Sequence, residues 1–444
     1  MFEKVLIANR GAVARRVVRA LDELGVRSVC VYSDADENCP YLEEAGEAYR
    51  IGGPKPVESY LNQEAILDVM AKSGADAVHP GYGFLAENAE FARRVEAAGA
   101  VFIGPSPEWI DAMGHKTRAR KLMAQHGLPL GPGTDVLDGM DDFSREAQRL
   151  GYPVLVKAAA GGGGIGMLQA QDKDELVAAV KQCRTLAERA FDSSELYLEK
   201  LLTRPRHIEF QILADKAGSI RHLFERECSI QRRHQKVVEE APAPGLERQE
   251  VNEIAAAVER ALGAMGYDVI GTVETLRDDS GGYGFLETNT RLQVEHAVTE
   301  MVTGVDVVQS QVRLAAGEAL DQVLPDPIEL NGHALEVRVY AEDPVRFLPS
   351  PGPLEVFRPP RMDHVRVDTG YAEGQRVTPF YDPMLAKVIV HGKDRDEALR
   401  RVGQALAVFE IKGVKTNIPA VQRLLAHEDF YEGRLHTGLL NEVI

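Results

Sequence analysis

Over its first hundred residues the chain alternates short apolar runs with amphipathic stretches, and this limits the fold more than any other feature. VLIAN (5–9), SVCVY (28–32), DAVHP (76–80) and AVFIG (100–104) read as strands, while 14–24, AILDVMAKSG (65–74) and FARRVEAAG (91–99) carry helical spacing. Strands alternating with helices predict an open parallel sheet, because each parallel strand must return by a crossover. In such sheets ligands sit outside the carboxyl ends of the strands. The turns Asn9-Arg10-Gly11 and 79–84 (HPGYGF) are therefore candidates to line a site.

A second α/β unit starts near Met113. A helical stretch at 117–126 is followed by the strand YPVLVK (152–157), the run Gly161–Gly164, a helix over 174–190 and a strand over 195–202. HIEFQILAD (207–215) and SIRHLFERECSIQRR (219–233) read as long antiparallel strands. After Gly332 the pattern is mostly strand, closed by helices at 395–409 and 417–425. The expected class is a mixture of α/β and α+β.

Four successive glycines leave backbone N–H groups bare. They are not a Walker A loop, since no Gly-Lys-Ser/Thr ends the run. The strand before them ends in Lys157, and a lysine beside bare amides suits phosphate. The loop is therefore read as a lid over a triphosphate, against the plainer reading of a flexible surface loop.

The stretch VIGTVETLRDDSGGYGFLETNTRLQVEH (269–296) carries the most chemistry. If a four-residue turn, Asp279-Ser280-Gly281-Gly282, closes a hairpin, Glu274 lies opposite Glu287. Facing like charges are destabilising unless a cation sits between them, and magnesium takes one or two carboxylates plus phosphate oxygens. If the second strand runs on, Glu287, Asn289, Arg291, Gln293 and Glu295 share one face. The basic cluster Arg232, Arg233, His234 and Lys236 reads either as a solvated turn or as an anion pocket with Lys236 or His234 at its centre.

Net charge is −17 and the pI about 5.3, which argues against nucleic-acid or anionic-membrane binding. Cys30, Cys39, Cys183 and Cys228 form no CxxC pair, so neither a zinc site nor a disulfide framework is expected. With no apolar run of spanning length, a cytoplasmic setting is expected.

The chain resembles biotin carboxylase, the ATP-grasp component of biotin-dependent carboxylases, over essentially its whole length. The resemblance rests on IANRG (7–11), HPGYGFLAEN (79–88), FIGP (102–105), MGHK (113–116), the glycine run, PRHIEFQILAD (205–215), ERECSIQRRHQKVVEEAPAP (225–244), ETNTRLQVEHAVTEMVTGVD (287–306), YAEDP (340–344), FLPSPG (347–352) and KGVKTN (412–417). It implies an ATP-grasp fold with a Rossmann-like N-terminal domain (1–113), an ATP-grasp domain (114–330) whose lid spans about 130–203, and a mostly antiparallel C-terminal domain (331–444).

It also implies ATP- and Mg²⁺- or Mn²⁺-dependent carboxylation of carrier-bound biotin by bicarbonate through carboxyphosphate. Lys116, Lys157, Gly162, Gly163, Gly164, His207, Gln231 and His234 would contact the phosphates or ribose. Glu199, Lys200 and Leu202 would hold adenine, and Glu274 and Glu287, with Asn289, the metal. Lys236, Arg291, Gln293 and the Val294 backbone would hold bicarbonate. Glu295 would be the base, kept ionised by Arg291, with Arg338 steadying the biotin enolate and Tyr82 close to biotin.

Arg19, Glu23 and Arg366 match positions of a homodimer interface. No biotinylation motif is present, so a separate biotinyl carrier protein and carboxyltransferase are the expected partners, in an acetyl-, propionyl- or other acyl-CoA or pyruvate carboxylase. Ala12, Ala160, Ile165 and Ala297 depart from the family pattern. A related ATP-grasp ligase passing carboxyphosphate to another nitrogen, or a nucleotide-binding scaffold, are the competing readings.

Overall fold

The computed structural model describes residues 1–160 and 166–444. The glycines Gly161–Gly164 and Ile165 lie outside the described residues, and so do the phosphate contacts expected of Gly162, Gly163 and Gly164.

The alternating N-terminal pattern folds as expected. β1 (Lys4–Ile7), β2 (Arg27–Ser33), β3 (Glu47–Gly52), β4 (Ala77–His79) and β5 (Val101–Phe102) form an all-parallel sheet in the order β3-β2-β1-β4-β5. Alternate residues of β1 face opposite layers. Val5 and Ile7 pack with Val13, Val17 and Leu21 of the helix Gly11–Glu23, whereas Leu6 packs with Ile66 and Phe91 on the other side. The strand order reverses between β1 and β4, the place where an open sheet leaves a crevice. There Asn9 Nδ2 donates to the Pro80 and Tyr82 carbonyls at 2.7 and 2.8 Å, tying the two expected turns together.

β6 (Val154–Ala158), β7 (Met167–Ala170) and β8 (Leu196–Lys200) make a small antiparallel sheet backed by the helix Lys173–Phe191. β9 (Arg206–Ala214), β10 (Ile220–Arg232), β11 (Gln235–Ala241), β12 (Val269–Arg277), β13 (Tyr283–Asn289) and β14 (His333–Tyr340) belong to an eight-stranded antiparallel sheet. Its order is β13-β12-β9-β10-β11-β14, continued by Met384–Gly392 and Val365–Thr369. Because β11 pairs with β14, this sheet runs continuously across the expected boundary at 330/331.

Two hairpins of this sheet shape the site. The β12–β13 turn is one residue longer than expected: Arg277 pairs with Tyr283, leaving 278–282 as the loop. A bulge then restores the count, with Thr275 opposite Phe285 and Glu274 opposite Glu287. The expected carboxylate pair is present, but through a five-residue loop plus a bulge at Leu286 rather than a four-residue turn. In the β10–β11 hairpin Arg232 pairs with Gln235, and both loop residues have positive φ, Arg233 at 49° and His234 at 66°. Two left-handed residues make the tight turn that matches strand twist. Non-glycine residues there cost of order 1–3 kcal/mol each, a strain often found at functional sites.

Candidate active site

Every described residue assigned to nucleotide, magnesium or bicarbonate lines one cavity of about 390 Å³. Tyr82 does not. It lines a neighbouring cavity of about 550 Å³ with Asn9 and Arg10, at the crevice of the parallel sheet. The two cavities share Gln235, Arg291, Val294 and Arg338 as walls.

Lys236 is the electrostatic centre. Its Nζ lies 2.5 Å from Glu209, 2.8 Å from Glu274 and 2.6 Å from Glu295. Burial alone would strip its proton, but these three carboxylates outweigh burial and hold its pKa well above the ordinary lysine value. Arg338 bridges Glu239 (Nε to Oε1, 2.5 Å) and Glu295 (Nη2 to Oε2, 3.0 Å).

Glu295 is fully buried, which by itself favours its neutral form. Lys236, Arg338 and Arg226 reverse this and keep its pKa well below the carboxylate range. The charge of Arg291, the expected reason for its ionisation, acts alongside these, Glu295 being among the charges that raise the Arg291 pKa. Arg291 itself donates to Glu87 at 2.8 Å, and its other nitrogens reach the side-chain oxygens of Asn289 and Gln293 at 3.0 and 2.9 Å.

The shared strand face is corrected. β13 ends at Asn289, and 290–295 is an irregular connection into the helix His296–Thr303. Asn289, Arg291, Gln293 and Glu295 still converge, because side-chain bonds curl the connection. Asn289 Nδ2 and Gln293 Nε2 both donate to Glu274 Oε1, at 2.9 and 3.1 Å.

The donor set at Glu274 and Glu287 fits a hard divalent cation. Two carboxylates face across the hairpin, and Glu287 has Lys116 Nζ at 3.4 Å. Oxygen donors beside a lysine-lined cavity suit magnesium, which takes one or two carboxylates with phosphate oxygens and water. Asn289 is less available, since its carbonyl oxygen already accepts from Arg291. Glu274 Oε2 lies 3.1 Å from His207 Nε2, and His207 Nδ1 meets Gln231 Nε2 at 2.8 Å.

At the other side of the cavity Lys157, 3% exposed, pairs with Glu199 at 2.8 Å. Glu199 also takes Arg120 at 3.0 Å, and Lys200 Nζ is spent on the Gly151 and Tyr152 carbonyls. The side chains of Glu199 and Lys200, expected at adenine, are thus engaged within the chain. His234 stands near Lys157 and Lys116, and burial with these two cations lowers its pKa, so it is neutral at pH 7. Arg232 faces elsewhere, paired with Glu342 at 2.8 Å. Arg19, Glu23 and Arg366 have partners within the chain, in Glu44, Gln309 and Glu300 respectively.

Sequence reasoning missed Glu209, Arg226 and Glu239, all fully buried. A signal existed for the first. His207, Glu209 and Gln211 recur at period two on a strand that is apolar between them, which places polar groups on one face.

A carboxylate-rich, lysine-lined cavity between a small antiparallel lobe and a large antiparallel sheet, preceded by a parallel nucleotide-type sheet, defines an ATP-dependent ligase of the ATP-grasp class. Comparison with known proteins narrows the class. Residues 1–110 match the biotin carboxylase N-terminal domain, 115–323 the carbamoyl-phosphate synthase L chain ATP-binding domain, and 336–442 the biotin carboxylase C-terminal domain. The chain is 47% identical over 443 residues to biotin carboxylase 2 of Bacillus subtilis, covering 100% of both. It is 48% identical over 441 residues to the biotin carboxylase of Halalkalibacterium halodurans, covering 99% of this chain and 97% of that one. Its fold superposes with a TM-score of 0.97 on the biotin carboxylase domain dimer of Hydrogenobacter thermophilus 2-oxoglutarate carboxylase, solved with MgADP, ADP and bicarbonate, at 44% identity and 100% and 98% coverage. The chain belongs to the biotin carboxylase family, enzymes that use ATP, Mg²⁺ and bicarbonate to carboxylate biotin.

Proposed function

We propose that Glu295 is the general base of this carboxylation and that Lys236, Arg291, Gln293 and the Val294 N–H hold the bicarbonate it deprotonates. The observation that carries this reading is the buried cluster Lys236–Glu295–Arg338 in the first cavity, of which Arg338 also lines the second. A carboxylate ringed by cations stays ionised and accepts a proton, while the cations draw a second anion to it.

Glu295 takes the proton of bicarbonate, whose oxygen attacks the γ-phosphorus of ATP and releases ADP. The resulting carboxyphosphate breaks to CO₂ and phosphate, the phosphate accepts the ureido proton of biotin, and the freed ureido nitrogen adds to CO₂ to give carboxybiotin. Arg338, at the shared wall, faces the oxyanion that develops on biotin. Tyr82, in the second cavity, lies on the biotin side. Lys116, Lys157, His207, Gln231 and His234 orient the phosphates and ribose, and the 199–202 backbone receives adenine. Glu274 and Glu287 hold Mg²⁺, which supplies neutralisation of charge on the transferring phosphoryl group.

The finer assignment of partners rests on the relatives. They include subunits of pyruvate and 2-oxoglutarate carboxylases, and one solved relative is a dimer. On that support the chain is a homodimer using Arg19, Glu23 and Arg366, and it serves a separate biotinyl carrier protein and a carboxyltransferase. Its working units are 1–113, 114–330 and 331–444. Among the described residues no helix is long and apolar enough to cross a membrane.

The test is bicarbonate-dependent ATP hydrolysis with Mg²⁺, with and without free biotin. Stimulation by biotin is expected, and Glu295→Gln should abolish it. Turnover that persists in this variant would remove Glu295 as the base.

A further inference from the structure

The connection that carries Val294 has no regular hydrogen-bond ladder to hold it, yet two of its consecutive carbonyls are pinned from beneath. The Gln293 carbonyl accepts from His296 Nδ1 at 2.8 Å, and the Val294 carbonyl accepts from Lys387 Nζ at 2.5 Å. His296 is 1% exposed and Lys387 2%. They come from different elements, the start of the helix His296–Thr303 and the strand Met384–Gly392.

A trans peptide points its N–H opposite to its C=O. Pinning the Gln293 carbonyl therefore turns the Val294 N–H away from His296, and pinning the Val294 carbonyl turns the Glu295 N–H away from Lys387. Neither N–H has a partner among the described residues, and both residues line the cavity. Successive backbone amides turned the same way make an anion-binding concavity.

From this geometry we infer that Lys387 and His296 are positioning residues that aim the Val294 and Glu295 amides at bicarbonate. The inference rests on the reading of this cavity as the bicarbonate site and adds the groups that set its backbone.

The surroundings fit that task. A carbonyl can only accept, so Nδ1 of His296 carries the proton. Its Nε2 is buried without a partner among the described residues. Burial, with Lys387 nearby, lowers the His296 pKa to about 3, so the ring stays neutral and its tautomer fixed. Lys387 Nζ sits between Glu336 at 3.5 Å and Asp368 at 3.7 Å. Asp368 is clamped in turn by Arg366, at 2.8 and 2.7 Å. No polar atom of His296 or Lys387 needs to touch substrate for either residue to matter.

The test separates the two nitrogens of His296. The Nδ2 of an asparagine stands close to the place of Nδ1, and the Nε2 of a glutamine close to that of Nε2. In His296→Asn the KM for bicarbonate should stay within about threefold of the parent. In His296→Gln it should rise about tenfold or more, the loss expected when donors to a charged ligand are misaimed. The KM for ATP should move less than about twofold in either. Lys387→Met should show the same bicarbonate-selective loss and Lys387→Arg should recover most of it.

His296→Asn and His296→Gln behaving alike, or ATP and bicarbonate KM rising together, would overturn the inference. If Lys387→Met does not fold, the His296 pair decides alone. Failure of the underlying reading shows differently: the parent chain itself would lack bicarbonate-dependent ATP hydrolysis.

Discussion

Arg338 Nη2 stands 3.0 Å from Glu295 Oε2, so the proposed base and the proposed oxyanion partner are one ion pair. Each sets the other's state. Glu295 cannot take a proton without loosening Arg338, and a freed Arg338 has Glu239 as its remaining anchor. Proton abstraction and readiness for biotin are therefore linked through a single contact. Removing the charge in Glu295→Gln should lower bicarbonate-dependent ATP turnover at least about a hundredfold, the usual scale of a general base. ATP binding, followed by calorimetry, should be retained.

Arg226 is the largest fully buried side chain and makes no contact assigned to substrate. Its guanidinium reaches Glu209 at 2.6 Å, Gln211 at 2.8 Å and Thr299 at 2.9 Å. Glu209 in turn takes Lys236. Arg226→Leu leaves Glu209 short of a cation in the interior, where breaking a buried pair costs about 3–5 kcal/mol. A urea midpoint should fall accordingly, and an unchanged midpoint would show that Lys236 alone satisfies Glu209.

The carboxylates of the core divide into two groups by pH. Burial raises the pKa of both Glu300 and Glu240, but Arg16 and Arg366 around Glu300, and His333 and Arg395 around Glu240, outweigh it and bring each to about 2. These acids bind fewer protons folded than unfolded below their ordinary value of 4.5, so their stabilisation is full above pH 4.5 and is lost as pH falls towards 2. Glu239 and Glu336 are opposite in kind. They face each other across β11 and β14, and burial raises their pKa values to about 8 and about 7 despite Arg338 and Lys387. For them the fold binds more protons, so stability declines as pH rises from 4.5 through 7 to 8. Neither oxygen of Glu336 has a hydrogen-bond partner among the described residues. Glu336→Gln should raise the melting temperature at pH 8 by about 2 °C or more, with a smaller gain at pH 5.5. An equal gain at both pH values would show that Glu336 does not titrate in this window.

Much of this site is legible from period and chemistry alone. Strand–helix alternation places Asn9 and Tyr82 at one crevice, and the hairpin sets Glu274 opposite Glu287. That pair is correct for a reason the residues do not reveal, because a bulge at Leu286 offsets the longer loop. A continuing strand would likewise bring Arg291, Gln293 and Glu295 together, whereas side-chain bonds to Glu274 curl a connection that has left the sheet. The partners that set charge states stay hidden. Glu239, Glu87 and Lys387 come from segments far apart in the chain, and a period within one element carries no information about which strand lies beside it.

Glu287 is the less buried of the two facing carboxylates, with its side chain 27% exposed against 6% for Glu274. Among the described residues its ion pair is with Lys116 Nζ at 3.4 Å. Glu274, by contrast, holds Lys236, Asn289, Gln293 and His207 in place. The two positions should therefore respond differently to loss of charge. On the proposed reading Glu287→Gln removes a cation ligand without disturbing the interior. The Mg²⁺ concentration for half-maximal ATP turnover should rise about tenfold or more, while the melting temperature stays within about 1 °C. Glu274→Gln should lower both the Mg²⁺ response and the melting temperature, because an amide cannot satisfy Lys236 and two side-chain N–H donors at once. A Glu287→Gln enzyme whose Mg²⁺ titration matches the parent would remove Glu287 from the cation site and leave Glu274 to hold it with the phosphates alone.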